Sequence, residues 1–528
     1  MVHIRLRESF PDQFTARIQG GSFNTQRGFL SFSPDVRNVD SFLAYEGSHT
    51  DGSFVKPLAY RRDSVTGNFT RRRNQHQSYA FKWNASRSGY DSSGQIPFSE
   101  VAAGRLSRFG YLDSGEGGKF NAATLAGYWR NEGAAGDVWK LDGFVSRSLF
   151  DLYSDFTFFL NDPVNGDAIQ QHDSRLQQGA NLQYQRPHRM FGVTEMFTAG
   201  VNFHANQINV GLYPRIGREP LGVTARDHAN LTNAAGYIQD SASLLSGKLL
   251  LGGGVRYDVF RYDVRDLLDS PTRAARNSGN WQPKFSAAFT PRRSLPFTLH
   301  ANYGRGISSL DARSIVKSPG SPFVATTDFF QAGTSHRFSR FGVSTDVFLI
   351  DRSHELVYVA DDGTLDLLGP SRAYGYEAKV SVEITRRLSF SGGVTKVGNS
   401  FYRGTAPRLY VDRAPHLTAN AGVTLANWRG WSGSLRMRAI NHYRLDGLDP
   451  GTLASGHTVW DFSLVRRISR WADFNLAADN LLNRAYWETQ NYIESRPHPG
   501  VGAAFGIHGT PGYPRTFTAG LTFRLRGK

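Results

Sequence analysis

The histidines and serines are the residues of this chain that could carry out catalysis, because the sequence contains no cysteine. There are 15 histidines among 528 residues. A serine nucleophile needs a base within hydrogen-bond reach, and a well-known setting for it is a Gly-x-Ser-x-Gly turn between a strand and a helix. The chain has nothing like this turn in that setting. The sequence therefore does not predict an enzyme.

Four histidines lie in or beside long segments that we predict to be loops. They are His204, His228, His498 and His508. Structural and catalytic metal sites usually show close spacing such as His-x-x-x-His, or a cluster of carboxylates, and neither fixes a site here. The absence of cysteine also excludes thiolate sites and disulfides. We therefore interpret these histidines as solvated loop residues and expect no metal and no cofactor.

The net charge of +16 and the pI near 9.9 indicate an anionic partner, which could be nucleic acid, lipid or a small molecule. The 61 basic residues are spread along the chain, and their densest cluster is Arg71, Arg72 and Arg73. No nucleic-acid recognition motif accompanies them. We therefore expect no nucleic acid and favour lipopolysaccharide or a polyanionic ligand.

The apolar residues are too dispersed for a membrane-spanning helix, which needs about 18 to 20 of them in a row. Hydrophobic residues make up 40% of the chain and the mean hydropathy is -0.41. Aromatic residues reach 13% and there are 55 glycines. Interfacial aromatic girdles and glycine-rich turns of a membrane β-barrel would use both, and the strands of such a barrel are apolar on one face only.

Alternation with a period of two residues is the main pattern along the chain. Between Tyr376 and Ile384 every second residue is apolar and the residues between them are polar or charged. A similar alternation appears from Leu249 to Val259 and from Phe517 to Leu525. Strands of this kind have one dry face and one wet face. Between Trp431 and Ala439 the wet face carries two arginines, which a watery lumen accommodates more easily than a closed core.

Short and long connections between these strands take turns. Short turns are predicted at 34–39, 73–77, 131–137, 186–191, 244–247, 290–296, 337–340, 385–388, 427–430 and 468–472. Longer loops are predicted at 23–28, 55–63, 91–118, 161–173, 205–230, 265–280, 306–326, 354–371, 398–414, 443–456 and 489–513. Ten turns and eleven loops separate about 22 strands, as in outer-membrane barrels with long external loops.

A β-propeller or a large periplasmic β-sandwich would also contain many alternating strands. A propeller repeats a sequence motif every 40 to 50 residues or so, and the chain shows no such repeat. The pattern favours a barrel, and the following resemblance favours it further.

Two segments near the end of the chain, 479–488 (DNLLNRAYWE) and 509–523 (GTPGYPRTFTAGLTF), carry a family resemblance. They strongly resemble the end of TonB-dependent outer-membrane receptors. In this family the NLLN run closes the penultimate strand and the PGxPRxF run opens the last one. Segments 236–260, 284–291 and 301–307 are similar to the middle of the family's barrel. The resemblance covers essentially the whole chain and implies an all-β, antiparallel transmembrane barrel.

Two features depart from the family's pattern. Members usually end on an aromatic residue, whereas Phe523 is followed here by five more residues. Members also carry an N-terminal plug and a TonB box, and this sequence shows neither. We expect residues 1–10 to be the remnant of the end of a plug domain and residues 11–528 to be the barrel. The first residues also lack the apolar run of a signal peptide. A truncated gene model, an isolated barrel or a separate plug gene would each explain this start.

The resemblance implies uptake of a scarce, bulky nutrient, often an iron–siderophore complex, captured by external loops. On that hypothesis the stretch 207–219 offers cations and a stacking surface to an anionic chelate through Tyr213, Arg215 and Arg218. The final loop is comparable. Its candidate ligand-binding residues are Trp487, Tyr492, Arg496 and His498.

We therefore predict a transport protein of the outer membrane of a Gram-negative bacterium. The expected partners are membrane lipid, lipopolysaccharide and a small-molecule ligand, and we expect a monomer. The TonB complex is a partner only where a plug and a TonB box are present. The alternatives are an ungated pore, a structural barrel, or a barrel whose plug comes from a separate or truncated coding region. A soluble all-β binding protein is a further one.

Overall fold

The computed structural model of the chain describes residues 7–190, 192–268, 272–291, 297–310, 312–317, 320, 322–359 and 364–525. Of the predicted plug remnant, residues 1–6 lie outside this range. Parts of the predicted segments 186–191, 265–280, 290–296, 306–326 and 354–371 lie outside it as well.

The regular secondary structure of the described chain is nearly all β, and 22 antiparallel strands close into one barrel. The barrel strands are β1 (Phe14–Gly21), β2 (Thr25–Phe32), β3 (Val39–Thr50), β4 (Tyr60–Arg72), β5 (Gln77–Asp91), β6 (Gly117–Glu132), β7 (Val138–Ser154), β8 (Ile169–Met190), β9 (Val193–Ile216), β10 (Ala225–Leu244), β11 (Leu249–Asp266), β12 (Arg273–Phe289), β13 (Phe297–Ser309), β14 (Val324–Phe338), β15 (Phe341–Arg352), β16 (Ser371–Glu383), β17 (Leu388–Tyr402), β18 (Leu417–Trp428), β19 (Trp431–Ile440), β20 (His457–Arg467), β21 (Ala472–Asp479) and β22 (Thr516–Leu525).

Closure of the sheet depends on the first and last strands. Strand β1 pairs with β22 from Phe14 opposite Leu525 to Gly21 opposite Thr518. Each other barrel strand pairs with its two neighbours in sequence. A barrel closed in this way has no strand edge, so every backbone polar group along the ladder has a partner even in hydrocarbon. This confirms the predicted fold.

The two faces of the wall differ as the alternation predicts. Val259 and Tyr376 lie on the outer face, where 43% and 51% of their surface is exposed. On the inner face, Arg256 Nε donates to Asp258 Oδ2 at 2.6 Å, and Asn233 Nδ2 donates to Asp258 Oδ1 at 3.0 Å. The apolar side chains therefore lie outside and polar networks line the lumen.

The short turns lie at one end of the barrel and the long loops at the other, as predicted. The predicted loop 205–230 is wrong in its extent, however, because β9 continues to Ile216 and β10 begins at Ala225. The stretch 207–219 is therefore mostly strand. Beyond a bilayer the outer face of a strand contacts water instead of lipid, so apolar residues are not required on that face and the sequence pattern loses its signal.

Strands β8, β9 and β10 are much longer than a membrane requires. They have 22, 24 and 20 residues, whereas roughly 9 to 11 residues of a tilted strand cross the hydrocarbon core. The excess, roughly ten residues per strand, projects beyond the bilayer at the long-loop end. These strands therefore form a wall that rises above the rest of the barrel.

Small elements lie within the loops. They are a helix α1 (Phe98–Ala102), a helix α2 (Ser314–Lys317), a 3-10 turn (Leu245–Gly247) and short strands at Ile96–Pro97, Glu219–Pro220, Glu355–Val359, Thr364–Leu368, Tyr443–Arg444, Leu453–Ala454, Trp487–Ser495 and Ala504–Pro511. Among the described residues, none of the helices is long and apolar enough to span a membrane.

The loop between β13 and β14 packs against the inner face of the raised wall. Ile315 of α2 and Phe323 belong to one buried cluster with Ile208 and Tyr262. The rings of Tyr262 and Phe323 meet edge to face at 4.8 Å. This cluster is a small hydrophobic core at the mouth of the barrel.

Candidate functional site

Three of the long loops join into one structure. They are residues 92–116, 155–168 and 480–515, which we name the loop cap. Within it, Trp487–Ser495 and Ala504–Pro511 form a hairpin, and Ile96–Pro97 pairs with the second strand of this hairpin. A bridge between Phe158 and Arg496 attaches the middle loop. Backbone hydrogen bonds therefore connect loops that are distant in sequence.

Arg215 is buried where β9 meets the loop cap. Its guanidinium donates to the carboxylate of Asp113 at 2.6 Å, to the carbonyl of Ile169 at 3.0 Å and to the carbonyl of Ser154 at 3.3 Å. Only 1% of Arg215 is exposed. A direct contact between Arg215 and a ligand would therefore require these hydrogen bonds to break.

Arg218 and Tyr213 are more accessible than Arg215. The Nε of Arg218 donates to the carbonyl of Gly115 at 3.0 Å, and its guanidinium lies over the ring of Tyr153 at 4.9 Å. Arg218 also forms an ion pair with Asp91. Tyr213 lies in β9 and is half-buried. Of these two arginines, Arg218 is the one with surface left for a ligand.

Aromatic and cationic groups meet in the final loop. The ring of Trp487 stacks on Phe98 at 4.2 Å, and the guanidinium of Arg108 lies over the same ring at 4.4 Å. The rings of Tyr492 and Phe505 lie 5.5 Å apart. These groups provide stacking surfaces next to a positive charge, which suits an aromatic or chelated anion.

His498 and Arg496 hold the final loop to its neighbours. His498 Nε2 lies 3.2 Å from a carboxylate oxygen of Glu100. Two hydrogen bonds from Arg105 to Glu100, helped by His498, lower the pKa of this carboxyl to about 2. The backbone carbonyl of Arg496 accepts a hydrogen bond from the amide of Phe159 at 3.0 Å, while its buried Nε has no hydrogen-bond partner within the described part of the chain.

Like Glu100, the carboxyl groups of Glu116 and Asp155 are buried in the loop cap. Burial raises the pKa of Glu116 well above its ordinary value, and the neighbouring Asp113 and Asp155 raise it further. Burial raises the pKa of Asp155 to about 7, although the backbone amide of Phe158 donates to it at 2.9 Å. These carboxyls therefore retain protons at pH values where exposed carboxyls have lost them.

One buried histidine lies in the hairpin of the cap. His508 is 1% exposed, and its Nε2 lies 2.9 Å from the hydroxyl of Ser495. Burial lowers the pKa of His508 to about 4. The imidazole is therefore neutral at ordinary pH and serves as a packed, hydrogen-bonded group.

The two predicted groups of binding residues both attach to loop 92–116. Asp113 and Gly115 bind the arginines at the end of β9, while Glu100 and Phe98 contact the final loop. The sequence pattern did not reveal this connecting role. The available signal was the glycine-rich acidic run at 113–118, in which Asp113 pairs in the fold with Arg215, about 100 positions further along the chain.

The fold matches known proteins over nearly its whole length. A family model described as TonB dependent receptor-like, beta-barrel, matches residues 59–481. A search of curated proteins finds no match.

Solved structures of outer-membrane receptors are similar to the barrel. The unliganded ferric citrate transporter FecA has a TM-score of 0.80 at 14% identity, covering 97% of this chain and 78% of that chain. The siderophore receptor PiuA from Acinetobacter baumannii has a TM-score of 0.80 at 14% identity, covering 98% and 82%. The ferric-catecholate import receptor Fiu from E. coli K12 has a TM-score of 0.79 at 16% identity, covering 98% and 82%. At these identities the likeness concerns the fold.

Proposed function

We propose, from the premise that this chain belongs to the TonB-dependent receptors, that it takes up an anionic, bulky nutrient such as an iron–siderophore complex. Receptors of this family bind small ligands and interact with TonB, and their barrel lies in the outer membrane of Gram-negative bacteria. The family consists of receptors and transporters, which supports a role other than catalysis.

The observation that carries the proposal is the loop cap, which joins loops 92–116, 155–168 and 480–515 at the mouth of the barrel. A stable surface that presents Arg218, Arg108 and stacked aromatic rings is suited to an anionic chelate. The names of the neighbours FecA and Fiu refer to ferric citrate and to ferric-catecholate import. These names support a ferric chelate as the substrate class.

Fluorescence titration tests this proposal. The purified barrel is titrated with ferric citrate, a ferric catecholate and a ferric hydroxamate, and tryptophan emission is measured. Saturable quenching by at least one chelate is expected. Trp487→Phe should remove a large part of the quenching, whereas Trp471→Phe should not, because Trp471 lies at the short-turn end against Phe523. Absence of binding to all three chelates would overturn the proposed substrate class.

Planar-bilayer recordings separate uptake from an ungated pore. A receptor with an occluded lumen should give no steady current. Continuous conductance of ions that an added plug polypeptide does not silence would favour the alternative of an open pore. Silencing of this current by an added plug polypeptide would favour a plug that is supplied separately.

A further inference from the structure

A groove of about 980 Å³ crosses the outer wall of the barrel, away from the loop cap. Its floor is a row of residues that are opposite one another in register on adjacent strands. The row runs through Ala242, Leu251, Ala287, Ala301 and Ala332. Four alanines and one leucine form this row, so the floor lies lower than the surrounding wall.

Bulky side chains form one side of this groove. A second row in register runs through Phe285, Tyr303 and Phe330. The rings of Phe285 and Tyr303 stack at 6.3 Å, and those of Tyr303 and Phe330 lie 4.8 Å apart. The result is an apolar channel with an aromatic side.

The same two rows begin at carboxylates. Glu195 is opposite Ala242, at the head of the alanine row, and Asp240 is opposite Gly253, at the head of the aromatic row. Both acids line the groove. His188 Nε2 lies 2.8 Å from Glu195 and 3.5 Å from Asp240. Among the described residues, His188 is the one basic side chain paired with these two acids, so the carboxylates outnumber their basic partner.

The groove leads from the rim of the barrel into the region of the hydrocarbon core. Glu195 is the third residue of β9, next to a short turn, whereas Val347 at the far end of the groove is the seventh residue of β15. Six steps between adjacent strands lead from β9 to β15, and at the usual spacing between paired strands they cover roughly 29 Å. Strands in such barrels tilt by roughly 35–45°, so a row across them rises through about one leaflet.

We propose that this groove binds a phospholipid whose primary-ammonium headgroup pairs with Glu195 and Asp240 and whose acyl chain lies along the alanine row. The charged end of the groove carries carboxylates, whose negative charge attracts an ammonium. This end lies at the rim of the barrel, where lipid headgroups are found. The apolar end is as wide as the single row of small side chains that forms its floor, and it faces the acyl chains of the bilayer. Arg186, on the same outer face as His188, offers a cation to the phosphate of such a headgroup.

Native mass spectrometry of the full chain tests the proposal. The protein is equilibrated in vesicles that contain equal amounts of phosphatidylethanolamine and phosphatidylglycerol, and the retained lipid is identified. We expect phosphatidylethanolamine to be retained preferentially. The double variant Glu195→Gln with Asp240→Asn should lose this preference by about fivefold. Equal retention of the two lipids by the unchanged protein would overturn the proposal.

Filling the groove provides an independent variant. Ala301→Phe should displace the acyl chain and reduce retention. Val201→Phe is the matched control, because Val201 lies in a second apolar groove of the outer wall without carboxylates in its lining. A heat-modifiable band on gels shows that each variant is folded. A loss of retention in both variants, or in neither, would contradict the assignment of the lipid to this groove.

A divalent cation is the competing occupant of the charged end, because His188, Glu195 and Asp240 each offer a ligand atom within 4.8 Å of the others. His188→Ala should preserve the preference for phosphatidylethanolamine, because an ammonium does not need the imidazole. Removal of the preference by His188→Ala or by a chelator would show that an ion occupies the site, and would overturn the proposal.

Discussion

At the scale of single residues, Arg215 connects the barrel to the loop cap. Arg215→Met would remove the guanidinium that donates to the carboxylate of Asp113 and to the carbonyls of Ile169, Ser154 and Gly217. Removing one partner of a buried ion pair typically costs about 3–5 kcal/mol. We expect loop 92–116 to become sensitive to protease while the barrel remains folded, as measured by limited proteolysis followed by mass spectrometry.

Arg37→Met is the control for this variant, because Arg37 is exposed in a short turn. It should leave the cleavage rate unchanged. Equal resistance of the Arg215→Met and unchanged proteins would show that the buried arginine does not hold the cap.

The buried carboxyl of Asp155 makes the cap sensitive to pH. Its pKa is about 7 in the folded chain against 3.8 for the ordinary group. The folded state therefore binds the extra proton between these values, and stability falls as the pH rises through this window. Glu116 acts in the same direction. Relative to the unchanged protein, the Asp155→Asn variant should resist proteolysis increasingly well as the pH increases from 5 to 8. The measurement is the ratio of the proteolysis rates of the two proteins at each pH.

His508 opposes this trend at lower pH. Its pKa is about 4 in the folded chain against 6.5 for the ordinary group. The unfolded state binds the proton between these values, so stability is lost as the pH falls from about 6.5 toward 4. His508→Gln should weaken this loss of stability as the pH falls below about 6.5. The measurement is again the ratio of the proteolysis rates of the variant and the unchanged protein at each pH. An unchanged acid profile in this variant would assign the loss to other groups.

Sequence reasoning at the residue scale identified residue types but not their partners. Arg215 and His498 have acidic partners that are about 100 and 400 positions away. Such pairs depend on barrel closure and loop packing, which no local pattern encodes. The ligand-binding roles of Tyr213, Arg218, Trp487, Tyr492, Arg496 and the other candidates stay predictions.

At the scale of elements, alternation and turn spacing predicted the strands well. The error at 205–230 arose where β9 and β10 leave the bilayer, because the outer face of each strand then contacts water instead of lipid. The polar run around Asn206 and Asn209 resembles a loop in composition although it forms a regular ladder. Length beyond the membrane is therefore the feature that the pattern could not reveal.

Cysteine labelling tests this extension, since the chain has no native cysteine. Asn209→Cys lies on the raised part of β9, and we expect a membrane-impermeant maleimide to label it in intact cells. Val201→Cys, eight residues earlier on the same outer face, should be labelled only after denaturation, because lipid covers it. Labelling is measured by a mass shift on gels.

Asn74→Cys in a short turn completes the element-scale test. It should react only after the outer membrane is permeabilised, because the short turns face the periplasm. Equal labelling of positions 201 and 209 in intact cells would contradict the proposed height of the wall.

At the scale of the whole molecule, closure depends on close contact between β1 and β22. A Cβ atom on Gly520 would lie 2.2 Å from the carbonyl oxygen of Ile18. Gly520→Ala should therefore disturb the seam at a cost of roughly 1–3 kcal/mol. We expect less heat-modifiable barrel and a lower unfolding temperature. Gly28→Ala is the control, because a Cβ there meets nothing within 4 Å.

The seam between Phe14 and Leu525 also means that the order of the strands in the gene is not an order in space. The barrel wall is a closed ring, and each of its 22 strands pairs with one strand on either side. Joining the ends of the barrel segment by a short linker and opening the chain at 217–224 would give a circular permutant in which the 22 strands of the barrel keep all their ladders with one another. Ribosomal synthesis and membrane insertion would then start from the raised wall. Such a permutant therefore separates the stability of the finished barrel from the order in which its strands are made and inserted.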